Sequence, residues 1–356
     1  MKSLIRKLKR LVLFFVLVLF MILSIINAPW FFVSSKTTDT DYSGWMSDTL
    51  EESQKIIDVK MLGAHDAFSY EIDIFSLVDS SSADGIMQGF VGNLIKGFSI
   101  RQSKTQVVGA KDLLKSGVRY FDLRLSIKPD EDNLYTVHNY FSTEFKQVLT
   151  EINDFLEENP GEFIIIDLQH AYGMEYDDQN SFSRIEELFE EYGILDYAYS
   201  NKNQNLEDIK YGDITNNKSS SGVIIFSKFI TDSEFFWDYN EHIRTEWANE
   251  DEFTKIVDFL IYEKNMIDSG SDLQNKVRVM QAVATMEMSV TGIVRSFETW
   301  SLLSRARAFN QYLLEHESFE GLIESMPIVM IDYSSDYKVI DQFMQIIIDK
   351  NQDYTI

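Results

Sequence analysis

The chain has 356 residues, 45% of them hydrophobic and 25% charged, enough to bury one large α/β core or two small ones. It has no cysteine, which excludes a disulfide scaffold, a thiolate nucleophile and a thiolate metal site. With 57 acidic against 32 basic residues and no basic stripe, it excludes a nucleic-acid partner and gains nothing electrostatically from an anionic membrane surface.

Five of the basic residues, Lys2, Arg6, Lys7, Lys9 and Arg10, lie within the first ten positions. Leu11–Ile26 then runs apolar, broken only by Ser24. At about 1.5 Å per residue this run reaches roughly 24 Å, a little short of a hydrocarbon core of about 30 Å. Asn27–Val33 lengthens it, and Trp30, Phe31 and Phe32 resemble an interfacial aromatic belt. Residues 1–35 therefore read as a signal peptide or an uncleaved transmembrane anchor. Either places the body outside the cytoplasm, anchored or secreted. Residues 36–55 are polar and acidic and read as a linker, leaving 56–356 as the folded domain.

Along the body, short apolar runs alternate with amphipathic stretches. Strands are expected over Val59–Gly63, Val118–Ser126, Tyr135–His138, Phe163–Leu168, Val223–Ser227, Val277–Ala284 and Ile328–Asp332. Several are apolar on both faces, as in a covered parallel sheet. Thr143–Glu158 carries Phe145, Val148, Leu149, Ile152, Phe155 and Leu156 at helical spacing and stops at Asn159-Pro160-Gly161. Helices are also expected over Ser181–Tyr192, Glu252–Lys264, Phe297–Glu315 and Tyr337–Asp349. This order predicts an α/β fold, an irregular (β/α)8 TIM-like barrel preceded by the N-terminal membrane or signal helix. A doubly wound open sheet is the alternative, but no glycine-rich phosphate loop follows any strand.

Barrel enzymes carry their chemistry at the C-terminal ends of strands. Here those ends hold His65 and Asp66, then Asp122 and Arg124 on one strand face, then His138, Asp167, Gln169, His170 and Asp332. Three of the five histidines fall at these ends; His242 and His316 fall in helical stretches. One neutral histidine can take a proton from an attacking hydroxyl while a protonated one supplies the leaving oxygen. Carboxylates orient the pair, and an arginine holds a phosphate bidentately. Taken singly, each residue has a structural explanation: an aspartate at a strand end caps the next helix, and Arg124 pairs with Asp122 or Asp66. Taken together they describe a site that cleaves a phosphodiester without a metal or other cofactor.

The order and local sequence resemble the X domain of phosphatidylinositol-specific phospholipases C, in its X-domain-only, metal-independent bacterial form. The resemblance rests on KMLGAHD (Lys60–Asp66), LLKSGVRYFDLRLS (Leu113–Ser126), YTVHN (Tyr135–Asn139), FLEENPGEFIIIDLQHAYGM (Phe155–Met174) and PIVMIDY (Pro327–Tyr333). It implies His65 as general base oriented by Asp332, and His138 as general acid partnered by Asp66. It further implies Arg124 as stabiliser of the phosphorane, positioned by Asp122. Gln169, His170 and Lys228 would contact substrate. The substrate would be a membrane phospholipid of phosphatidylinositol type, and the products diacylglycerol and an inositol cyclic phosphate. Calcium-dependent members carry an acidic residue where Arg124 stands. Asn139 departs from the glycine common after the second histidine. Ala67–Arg101 is longer than in compact bacterial members and contains Gly85–Phe98, apolar with four glycines, which reads either as a lid or membrane-dipping loop or as an extra helix packed on the barrel. Membrane contact is expected through the N-terminal helix and residues 85–98. Competing functions are a metal-dependent glycerophosphodiesterase and a catalytically weak, surface-tethered headgroup-binding module.

Overall fold

A computed structural model describes residues 2–27, 35–83, 85–129, 131, 133–174, 179–202, 204–230, 232–286 and 301–354. The strands are β1 (Met61–Ala64), β2 (Val118–Ile127), β3 (Leu134–His138), β4 (Tyr140–Glu144), β5 (Phe163–Tyr172), β6 (Gly222–Ser227), β7 (Phe236–Asp238), β8 (Ile243–Glu246), β9 (Val277–Ala282) and β10 (Ile328–Ile331). All seven expected strands form, within a few residues of their expected ends. The strand expected to reach Ala284 stops at Ala282, and the one expected to start at Val59 starts at Met61.

Eight strands pair in parallel in the order β7-β6-β5-β2-β1-β10-β9-β8. Apart from the hairpin strands and the step from β7 to β8, each strand neighbours its predecessor in sequence, and the last, β10, lies against the first. That is barrel order and not the reversal of a doubly wound sheet. Among the described residues no ladder joins β7 to β8. The four-residue helix Tyr239–His242 links these two edge strands, so the sheet is an irregular, curled barrel with one unzipped seam. β3 and β4 form an antiparallel hairpin on β2. Asn139 joins them at φ 60°, in the left-handed region open to glycine and asparagine, which explains why asparagine serves in place of glycine.

Helix Phe145–Glu158 buries the six apolar residues expected from its spacing, each contributing roughly 1.5–3 kcal/mol. It ends before Gly161, whose φ of 92° requires glycine. The expected helices at 181, 252 and 337 form as Gln179–Glu191, Phe253–Ser269 and Ile340–Gln352. The fourth is described from Leu302 to Glu315; its expected start at Phe297 lies outside the described residues. The N-terminal helix Lys2–Ile26 contains a 22-residue stretch, Leu4–Ile25, long and apolar enough to cross a membrane. The expected aromatic belt at Trp30–Phe32 lies outside the described residues.

The segment 36–55 is not a linker. Trp45, Met46 and Leu50 are buried in the main core. Trp45 Nε1 donates to the Gly117 carbonyl at 3.1 Å, and Ser47 N donates to Glu162 at 2.9 Å. The segment therefore closes the barrel face from which β2 and β5 start, opposite the face where the strands end. The polarity of its other residues hides this in the sequence.

Candidate active site

β1 and β10 run in register, Ala64 opposite Ile331, so the next residue of each emerges side by side at the barrel mouth. These are His65 and Asp332, and His65 Nδ1 lies 2.8 Å from Asp332 Oδ1. The chain turns sharply after each strand: Asp66 has φ 40° and Tyr333 φ 54°, strained conformations of the kind concentrated at functional sites. On β2, Tyr120, Asp122 and Arg124 alternate inward, while Arg119 points outward to Glu162.

Asp66 is fully buried and is the hub. Its carboxylate lies 3.4 Å from His65 Nε2, 2.5 Å from Arg124 Nε and 3.3 Å from His138 Nδ1. The sequence reading gave it His138 as its catalytic partner and Arg124 as an alternative ion pair. Asp122 pairs with Arg124 at 3.3 Å and accepts from the Asp66 amide at 3.2 Å. The rings of His65 and His138 stand 6.4 Å apart, centre to centre. His138 Nδ1 donates to the Ser103 carbonyl at 2.8 Å, a partner the sequence gave no reason to expect. Gln106 donates to the His65 carbonyl and accepts from Ser334, tying the two strand ends together.

Burial opposes a charged His65, but Asp66 and Asp332 overcome it and raise its pKa to about 9. Burial lowers that of His138, with Arg124 and His65 adding to the effect against Asp66. Burial would raise Asp66, yet Arg124, His138 and His65 bring it to about 2. Of the two rings, His65 is therefore the one that holds a proton more tightly.

All nine expected site residues are brought together except that Asp122 sits beneath the wall, through Asp66 and Arg124. The other eight line one cavity of about 900 Å³. Gln169 donates to Asp167 at 2.9 Å, and Asp167 also accepts from Tyr120. Burial raises Asp167 to about 7. His170 stacks on Tyr172, and burial with Arg124 and Lys228 lowers it to about 4. It is not at a strand end as expected, because β5 continues to Tyr172. Lys228 lies 4.0 Å from the Tyr239 ring centre. Sequence reasoning missed Tyr239, Gln102 and Arg305, which share the cavity but lie outside the expected strands. His65, Asp66 and Asp122 each offer one ligand atom within 4.8 Å of the others. Arg124 already pairs with both carboxylates, so a cation there would face a guanidinium, and the residues do not fit a metal well.

The segment Gly85–Phe98 falls in three short helices, Gly85–Met87, Gly89–Leu94 and Lys96–Ser103. Gly92 and Gly97 are buried, while Phe90 (77%), Val91 (53%) and Leu94 (39%) are exposed, as is Phe75 (85%) nearby in sequence. Met87 packs against the cluster of Ile72, Ile100 and Tyr140, so the segment meets the barrel there and presents an apolar surface at once. Met87 lines the same cavity as His65 and His138.

A family model for the phosphatidylinositol-specific phospholipase C X domain matches residues 98–212. The human "PI-PLC X domain-containing protein 2" is 30% identical over 228 residues, covering 63% of this chain and 70% of that protein. The chain belongs to the phosphatidylinositol-specific phospholipase C X-domain family. The "Variant-surface-glycoprotein phospholipase C" of Trypanosoma brucei brucei is 35% identical over 156 residues, 40% of this chain and 43% of that protein. The matched span is thus less than half the length of that relative and of the bovine "PI-PLC X domain-containing protein 3", of which it covers 46%. Among solved structures, the phosphatidylinositol-specific phospholipase C of Listeria monocytogenes superposes with a TM-score of 0.57 at 21% identity, over 88% of this chain and 100% of that one. That likeness fixes the X-domain fold as the same irregular barrel.

Proposed function

We propose that the chain is an extracytoplasmic phosphodiesterase that cleaves phosphatidylinositol-type lipids to diacylglycerol and an inositol cyclic phosphate, with His65 and His138 as the acid–base pair. The ring 2-hydroxyl oxygen attacks phosphorus and the bond from phosphorus to the glycerol oxygen breaks. One histidine takes the hydroxyl proton and the other protonates the glycerol oxygen, so no further reactant is needed. The observation that carries this reading is the pair of imidazoles 6.4 Å apart across one cavity, both held by Asp66 beside Arg124. Arg124 neutralises the phosphate, and Asp122 positions it. The name of the solved structure points to the same lipid class, and that of the trypanosome relative to a phospholipase C. The N-terminal helix serves as anchor or signal, and the exposed face of Phe90, Val91 and Leu94 meets the bilayer beside the mouth. In mixed micelles of phosphatidylinositol, His65→Ala and His138→Ala should each cut turnover by roughly 10²–10⁴. Full turnover in either variant contradicts the pair.

The family resemblance makes His65 the base and His138 the acid. The carboxylates around His65 strengthen its hold on a proton while burial weakens that of His138, an order that suits the opposite direction. A phosphodiester with an aryloxide leaving group separates the two, since such a group departs without protonation. The variant lacking the acid keeps turnover on that substrate, and the variant lacking the base does not. Rescue of His138→Ala supports the family direction, and rescue of His65→Ala supports the reverse.

A further inference from the structure

None of the apolar window of the N-terminal helix Lys2–Ile26 is buried. Asn27, the residue after the helix, meets the body through both ends of its side-chain amide. Nδ2 donates to the Leu94 carbonyl at 2.9 Å and to the Leu23 carbonyl at 2.8 Å, while Oδ1 accepts from the Gly97 amide at 2.8 Å. The two body groups are of the kind that helix ends leave without partners. Leu94 closes helix Gly89–Leu94, and Gly97 is the second residue of helix Lys96–Ser103. Ile95 precedes that second helix and has no side-chain oxygen with which to cap it. Asn27 supplies the cap instead, from 70 residues away. Position 97 has no room for a side chain, because a Cβ there would lie 2.7 Å from Asn27 Oδ1.

The other end of helix Lys96–Ser103 holds the histidines. The Ser103 carbonyl accepts from His138 Nδ1 at 2.8 Å, and its hydroxyl accepts from Asn139 Nδ2 at 3.2 Å. Just beyond, Thr105 Oγ1 donates to the Asp66 carbonyl at 2.9 Å, and Gln106 Nε2 to the His65 carbonyl at 3.0 Å. The Lys104 carbonyl accepts from the hydroxyl of Tyr333, the neighbour of Asp332. Eight helical residues span about 12 Å, so the turn capped by Asn27 and the turn that holds His138 belong to one short rod. We propose that Asn27 is a positioning residue: it seats the membrane helix on the Leu94–Gly97 turn and thereby aligns the Ser103 carbonyl with His138, which makes the N-terminal helix a retained, working part of the site. This deepens the reading of His138 given above and rests on it. The Ser103 carbonyl favours the protonated ring, so a displaced rod lets the His138 pKa fall further. Asp66, Arg124 and His65, the charged groups that face His138, keep their identities in the variants below.

The test uses the full chain in phosphatidylinositol mixed micelles, with kinetics and imidazole NMR titration on the same preparations. Asn27→Ala removes both clasping bonds. Gly97→Ala leaves Asn27 in place but pushes it away, and it raises helix propensity at position 97, so a loss there cannot come from a weaker helix. Each variant should lower kcat roughly fivefold, the worth of a typical cap, with KM within about twofold. Each should also move the His138 titration down. Asn27→Asp keeps the acceptor for the Gly97 amide and should retain most of the turnover. Wild-type kcat and an unmoved His138 titration in Asn27→Ala and Gly97→Ala overturn the proposal, as does a fall in kcat with that titration unmoved. A His138 titration that moves as expected, in a chain that turns over no inositol lipid, would uphold the positioning and overturn the catalytic reading alone.

Discussion

His65 and Asp332 stand 267 residues apart in sequence, yet Nδ1 of the one lies 2.8 Å from Oδ1 of the other. The contact exists because β10 returns to pair with β1, so the site is complete only when the barrel is. Asp332 fixes the ring so that Nε2 faces the cavity, and it raises the basicity of His65. Asp332→Asn should therefore lower turnover by about 10²-fold or more while leaving KM within a few-fold, and should move the His65 titration down. Imidazole proton shifts against pH, alongside steady-state kinetics, check both effects.

Arg124 separates a structural from a functional loss. Arg124→Ala leaves Asp66 and Asp122, both fully buried, without their cation and should cost about 3–5 kcal/mol of stability. Arg124→Lys keeps the charge, and should stay folded, but loses the planar bidentate contact and most of the turnover. Chemical denaturation and kcat/KM on the same preparations distinguish the two variants.

Stability should vary with pH in two places. His65 titrates at about 9 when folded against about 6.5 when unfolded, so its protonated form adds stability that is complete below 6.5 and lost as pH rises through 9. Asp66 titrates at about 2 against an ordinary value near 4, so its contribution is complete above 4 and lost as pH falls through 2. Scanning calorimetry should show the alkaline decline flattened in His65→Gln, and the acid decline weakened but not abolished there, because Arg124 still holds Asp66 down.

Glu162 lies at the opposite end of the barrel from the histidines. It is fully buried, pairs with Arg119 at 2.7 Å and accepts from the amide of Ser47. Glu162→Ala should destabilise the chain by about 3–5 kcal/mol with turnover per folded molecule unchanged. Removing residues 1–55 should be worse, because it strips Trp45, Met46 and Leu50 from the core. Thermal unfolding of the truncated and full-length chains checks this.

What was legible in the sequence is what periodicity and strand-end chemistry record. The buried face of Phe145–Glu158 follows from its spacing, and the candidate site follows from polar residues ending apolar runs. β4, β7 and β8 are only three to five residues long, too short to show a pattern. Trp45 and Met46 are buried inside a polar segment, where composition points the wrong way. Ser103 acts through its backbone carbonyl, which no side-chain identity reveals. Arg305 reaches the cavity from a covering helix, where an arginine ordinarily reads as a solvated charge.

The central claim is metal-independent cleavage by the His65–His138 pair, and phosphorus NMR of phosphatidylinositol mixed micelles with the purified full chain in EDTA tests it most directly. A cyclic inositol phosphate that accumulates in EDTA and vanishes in both His65→Ala and His138→Ala is the predicted result. Silence in EDTA with activity restored by calcium would contradict the role given to Arg124, and a cyclic product that persists in either histidine variant would contradict the pair.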